Sequence, residues 1–230
     1  MKLIGLLGGM SWESTAHYYK IINETIRQEL GGLHSAKIVL YSVDFGEIEK
    51  CQSAGDWDKS AEILSQAAKK LELAGVDYIA ICTNTMHKVA DKIQQNITAP
   101  IIHIADETAK VLKKHQINKV GLLGTKYTME QDFYKRRLIE QNIDVVVPSE
   151  RHREFINNTI YNELCLGQIN PDSKKRFLSI IDEIKKDGAQ GTILGCTEIG
   201  ILIKQNDTEV PLFDTTEIHA KRIAKLSIEK

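Results

Sequence analysis

The 230-residue chain has no long apolar run, almost no net charge and no closely paired cysteines. No apolar stretch approaches the roughly 20 residues needed to cross a bilayer. Thirty Lys and Arg against 31 Asp and Glu leave a formal charge of −1. A field that weak gives no reason to expect nucleic acid or an anionic membrane as partner. The lysine pairs at 69–70, 113–114, 174–175 and 185–186 read as solvated helix faces. Cys51, Cys82, Cys165 and Cys196 form no C-x-x-C pair, so neither a zinc site nor a disulfide framework is expected. Free thiols without an export signal point to the cytoplasm. Gly5, Gly8 and Gly9 interrupt the apolar N-terminus and no A-x-A-like site follows, so no signal peptide is expected. The glycine loop lacks the full G-x-G-x-x-G pattern and a Walker lysine, which argues against a nucleotide site.

What is present is ordinary globular composition, 42% hydrophobic and 27% charged, arranged as a duplication. Lys2-Leu-Ile-Gly-Leu-Leu-Gly8 echoes Asn118-Lys-Val-Gly-Leu-Leu-Gly124. Asp58, Leu64 and Ser65 match Asp172, Leu178 and Ser179. Gly75-Val-Asp-Tyr-Ile-Ala-Ile-Cys-Thr-Asn-Thr85 matches Gly188-Ala-Gln-Gly-Thr-Ile-Leu-Gly-Cys-Thr-Glu198, which sets Cys196 on Thr83 and Gly195 on Cys82. Pro100-Ile-Ile and Pro211-Leu-Phe open two more matching segments. A repeat of this length implies two half-domains rather than a solenoid.

Short runs rich in Val, Ile and Leu predict strands at 3–7, 36–43, 76–82, 100–104, 119–123, 143–147, 191–195 and 210–213. Amphipathic patterns predict helices at 12–30, 58–74, 86–95, 105–115, 127–141, 150–165, 172–187 and 215–229. The alternation predicts an α/β fold: two similar half-domains, each a mostly parallel sheet flanked by helices. The first is expected to comprise 1–97 plus 211–230 and the second 98–210. Ligands of such sheets bind beyond the carboxyl ends of the strands. The loops at Gly8-Gly9-Met10-Ser11, Cys82–Thr85, Gly124-Thr125 and Gly195–Glu198 lie there, so the site is expected in a cleft between the halves.

Cys196 stands between a strand and a helix. At a helix N-terminus the macrodipole favours thiolate, a competent base; the alternative is a small buried hydrophobe. The matching polar loop favours function. Cys82 and Thr83 compete for the corresponding place. Strand neighbours face opposite ways, so if Cys196 faces the cleft then Thr83 does, and Cys82 packs inward. Asn84, Thr85 and Thr197 are placed to hold a carboxylate or to cap helices. Glu198, Asp214, His87, His103 and His219 are supporting candidates, while Cys51 and Cys165 read as packing residues.

At these residues the chain resembles the aspartate/glutamate racemase family. Gly5-Leu-Leu-Gly-Gly-Met10, Thr83-Asn-Thr85 with His87, and Gly195-Cys-Thr-Glu198 match its blocks in order, and the likeness runs from Lys2 to the last helix. The resemblance implies a cofactor-independent, homodimeric isomerase, an amino-acid racemase acting on aspartate, glutamate or a related amino acid; no metal is expected. Two thiols would flank the α-carbon, one removing the proton and the other delivering one. Carried over, Cys196 is the second-half catalytic residue. The first-half cysteine position is Thr83, a departure that implies unequal or slow inversion, with Cys82 adjoining it. Asn84, Thr85 and Thr197, with backbone near Met10, would bind the amino and carboxylate groups, and Thr125 and Glu198 complete the expected substrate-binding set. Gln52 falls where relatives with acidic substrates place a basic residue, which leaves a broader substrate range open. The Thr-Glu after Cys196 resembles the aspartate branch. The alternatives are a hydantoin racemase, a maleate isomerase, or an amino-acid-binding module without turnover.

Overall fold

The structure is a computed structural model that describes residues 1–229. The chain runs β1 (Ile4–Gly8), α1 (Trp12–Leu30), β2 (Ile38–Ser42), α2 (Phe45–Ala54), α3 (Trp57–Leu73), β3 (Tyr78–Ile81), a 3-10 turn (Thr85–Val89) and α4 (Ala90–Gln94). It continues with α5 (Ile104–Lys114), β4 (Lys119–Gly124), α6 (Lys126–Glu130), α7 (Asp132–Ile139), β5 (Asp144–Val146), α8 (Glu150–Asn162), a 3-10 turn (Leu164–Leu166) and α9 (Pro171–Lys186). Last come β6 (Thr192–Gly195), α10 (Ile199–Leu202), β7 (Leu212–Asp214) and α11 (Thr215–Ile228). Two compact units result, Met1–Ile104 with His219–Lys230, and Ala105–Ile218.

Within the first unit the strand order is β2-β1-β3; within the second it is β5-β4-β6-β7, and every pairing is parallel. Strands β1, β3 and β6 are buried throughout, β3 being flanked by the bridge at Ile101, while edge strands β2 and β5 are half exposed. That pattern is the reason the central strands read as continuous apolar runs. In the first unit Leu7, Ile79 and Ile81 enter one core layer, and Ile4, Leu6, Tyr78, Ala80 and Cys82 enter the opposite one. In the second, Leu123 and Leu194 join Phe177, Ile180, Ile181 and Ile184.

The two sheets share one register. Gly5 pairs with Ile79 and Ile79 bridges to Ile101; at the matching places Gly121 pairs with Thr192 and Thr192 with Leu212. The same correspondence holds for helix packing. Tyr18 of α1 is fully buried with its hydroxyl 2.9 Å from His219 Nδ1, and Tyr134 of α7 is fully buried and donates to Thr108 Oγ1 at 3.2 Å.

The structure amends several expected elements. The strand at 100–104 is a single bridge at Ile101, held by Ile79 N–H to Pro100 O and Ile102 N–H to Ile79 O. Pro100 has no N–H to extend the ladder, and α5 begins at Ile104. The helix at 127–141 breaks at Gln131, whose backbone is extended. The segment at 86–95 opens as a 3-10 turn before α4. Helices α2 and α10 were not expected. The first starts at an Asp44 cap that accepts from Gly46 N–H, and the second has only four residues, too few to show periodicity.

Candidate active site

Each unit presents its expected site residues at the carboxyl ends of its own strands, where ligands of parallel sheets bind. In the first unit, the loop after β1 turns at Gly9, with φ of +95°. Gly9 N–H donates to Thr15 Oγ1 at 2.9 Å, and Val43 N–H donates to Gly8 O at 3.0 Å. Ser11 then caps α1 by accepting from Ser14 N–H. Ser14 Oγ donates to Cys82 O at 3.0 Å, which ties this loop to the one after β3. Met10 is buried, and so is Gln52, whose Nε2 lies 2.9 Å from Met86 Sδ.

The loop after β3 separates Cys82 from Thr83. Cys82 is fully buried among Ile4, Leu6, Tyr18 and Ile22, and burial pushes its thiol far above the ordinary range. Thr83 is half buried, with Asn84 and Thr85 buried behind it. His87 Nδ1 lies 2.7 Å from Thr83 O, and Ile104 N–H donates to His87 Nε2 at 3.2 Å. A nitrogen that accepts an N–H carries no proton, so the proton of a neutral His87 sits on Nδ1 and is donated to the Thr83 carbonyl. His103 stacks edge-on at 4.5 Å and His219 at 5.8 Å. His219 Nε2 donates to Ile102 O at 2.8 Å, and burial holds its pKa down at about 4. These three histidines support the Thr83 loop from within the unit. Their matching positions in the second unit are Gly200, Asp214 and Thr108.

In the second unit Cys196 is half buried one residue past β6, the place that Thr83 holds past Cys82 in the shared register. Cys196 Sγ donates to Glu198 Oε2 at 3.0 Å. Burial pushes the thiol well above its usual range and the Glu198 carboxylate adds to this, against the opposing pull of the Glu198 N–H. The expectation of a thiolate favoured by a helix N-terminus is therefore corrected. The helix that follows is a single four-residue turn, and an anion stands beside the sulfur. Thr197 Oγ1 lies 3.0 Å from Thr216 Oγ1, and Thr125 caps α6 by accepting from Thr128 N–H at 3.4 Å. Asp214 accepts from Thr216 N–H and Glu217 N–H at the start of α11. Cys51 lies in α2 and Cys165 in the 3-10 turn after α8, both half buried.

The structure thus brings Met10, Gln52, Thr83, Asn84 and Thr85 to one end of the first sheet. It brings Thr125, Cys196, Thr197 and Glu198 to one end of the second. Sequence reasoning did not foresee the contact between Cys196 and Glu198. Its signal was the i, i+2 spacing of a thiol and a carboxylate, which is indistinguishable in sequence from two ordinary loop residues.

Duplicated parallel α/β units, each with a small protic side chain just past its second central strand, define a class in which one fold carries two related polar loops. The chain belongs to the Asp/Glu/Hydantoin racemase family, whose model matches residues 7–223. It is 52% identical to a candidate Asp/Glu racemase from Yersinia pestis, with a TM-score of 0.94 and full coverage of both chains. It is 38% identical to an aspartate racemase homologue from Pyrococcus horikoshii OT3, with a TM-score of 0.88 and full coverage of both. The broad specificity amino-acid racemase RacX of Bacillus subtilis (strain 168) is 26% identical over 95% of each chain. The relatives named as racemases are isomerases. Among the described residues, no helix is long and apolar enough to cross a membrane.

Proposed function

We propose that the protein is an amino-acid racemase of aspartate/glutamate type, working without a cofactor, with Cys196 and Thr83 acting on opposite faces of the substrate α-carbon. The observation that carries this reading is the shared register, in which Thr83 and Cys196 follow equivalent strand positions and are both half buried between buried neighbours. The burial of Cys82 in an apolar layer supports Thr83 over Cys82 as the first-half residue. Asn84, Thr85, Thr125 and Thr197 supply hydroxyl, amide and backbone groups suited to the amino and carboxylate groups of the substrate.

The α-proton of an amino acid is a very weak acid. A side-chain base contributes only about 10²–10⁴ to its removal, so the loops must also stabilise the carbanion through hydrogen bonds to the substrate carboxylate. A hydroxyl is a poorer acid than a thiol, so Thr83 makes the two directions unequal in kcat and KM. Gln52, already engaged with Met86 and neutral, fits a range wider than strict aspartate. A homodimer, from the family likeness, and a cytoplasmic location, from free thiols without an export signal, belong to this proposal.

The test is α-proton exchange in D2O with a panel of L- and D-amino acids, followed by NMR, with inversion read by circular dichroism. Exchange with aspartate, glutamate or a related amino acid is expected, and Cys196→Ala should lower it by about 10²-fold or more. Ligand binding without any exchange would replace the racemase reading with a binding module.

A further inference from the structure

Cys196 presents a chemical contradiction. A base that removes an α-proton must be a thiolate, yet the sulfur lies against a carboxylate, and burial and that carboxylate favour the protonated thiol. Sγ and Oε2 of Glu198 are 3.0 Å apart, and Glu198 is buried, 8% exposed. The ionisable groups that act on the thiol within its unit are Glu198, on the same loop, and Cys165, from the 3-10 turn after α8. No like arrangement occurs in the other copy of the repeat, where the matching pair is Thr83 and Thr85.

We propose that Glu198 governs the proton on Cys196, its carboxylate being the acceptor to which the thiol passes its proton when the base is needed. This rests on the reading of Cys196 as a proton-transfer residue. Glu198 acts through the sulfur, in place of the substrate-binding role expected from the sequence. The steps balance without any oxidant or reductant. The S–H bond breaks and an O–H bond forms on the carboxylate, leaving thiolate. The thiolate forms a new S–H bond with the α-proton, and the electron pair stays on the α-carbon. Reprotonation from the opposite face restores the C–H bond. The thiol and carboxyl together then hold one proton more than at rest; this returns to solvent, and the donor on the opposite face regains one. The carboxylate thus has two opposed effects. It keeps the thiol protonated at rest, and it offers the path by which the proton leaves.

Those effects part company in Glu198→Gln, which removes the charge and the acceptor while keeping the shape. The experiment uses the full chain. The pH dependence of iodoacetamide alkylation is followed at Cys196 by peptide mass spectrometry, which separates it from Cys51, Cys82 and Cys165. Exchange of aspartate and glutamate α-protons in D2O is followed in parallel. In Glu198→Gln the alkylation midpoint should fall by about one pH unit or more, while exchange slows about tenfold or more. Glu198→Asp, which keeps the charge, should return the midpoint toward its original value and guards against a folding defect in the first variant. An unmoved midpoint overturns the proposal. So does a lowered midpoint with unchanged or faster exchange, because the carboxylate would then be only an obstacle to the thiolate. If the native chain exchanges no amino acid, the racemase reading fails, and the alkylation midpoint alone still decides whether Glu198 governs the thiol.

Discussion

At the scale of single residues, the shared register sets the Thr83 hydroxyl and the Cys196 thiol at equivalent places past β3 and β6, and on the reading proposed above this unequal pair does the chemistry. A thiol is a much stronger acid than a hydroxyl, and on that reading one direction asks Thr83 to give a proton and the other asks it to take one, so the two directions differ in kcat and KM while kcat/KM stays equal, as enantiomers of equal energy require. Thr83→Cys should make the saturating rates (kcat) from the L- and D-enantiomers more alike, measured by circular dichroism. Cys82→Ala should leave those rates nearly intact and lower stability by about 1 kcal/mol, since it deletes one small buried group. A Cys82 variant more damaging to turnover than Thr83→Ala would reverse the assignment. The repeat made the equivalence of these two positions legible in the sequence. The contact that raises the Cys196 thiol was not legible, because it depends on how the loop brings the Glu198 carboxylate back to the sulfur.

At the scale of elements, the loops stand on close backbone approaches that only glycine allows. Gly9 is the clearest case: a Cβ there would run into the Val43 carbonyl oxygen, with Val43 N only 2.6 Å away, and φ is +95°. Gly9→Ala should cost about 2–4 kcal/mol through strain and overlap together, read as a lowered denaturant midpoint. A midpoint within experimental error of the parent would mean that the loop after β1 has room to move. The strands were the most legible elements, because burial on both faces requires continuous apolar runs. Where expectation failed, local chemistry was decisive. Pro100 cut one strand to a bridge, Gln131 adopted extended backbone between α6 and α7, and the Asp44 cap started a helix that apolar periodicity did not announce.

At the scale of the whole molecule, the internal repeat is preserved in backbone register while its polar interior has diverged. The first unit holds three clustered histidines where the second has Gly200, Asp214 and Thr108. His219 is fully buried and neutral, with its pKa lowered from 6.5 to about 4. As pH falls below 6.5 the unfolded chain binds a proton at this residue that the folded chain refuses. Stability is therefore full above 6.5 and is lost progressively down to about 4, by about 3 kcal/mol. Urea unfolding across that range should show a steeper loss in the parent than in His219→Gln, which cannot titrate; equal slopes would mean that His219 takes up its proton in the fold. The sequence by itself determined the α/β class, the two-fold repeat and the equivalence of Thr83 with Cys196, because periodicity and repeat spacing are properties of the chain alone. Folding in space was needed to set the surroundings that raise or lower each ionisable group. Burial and the nearest oxygen or nitrogen, as at Cys196 with Glu198 and His87 with Thr83, are set by distances in space that residue order does not encode.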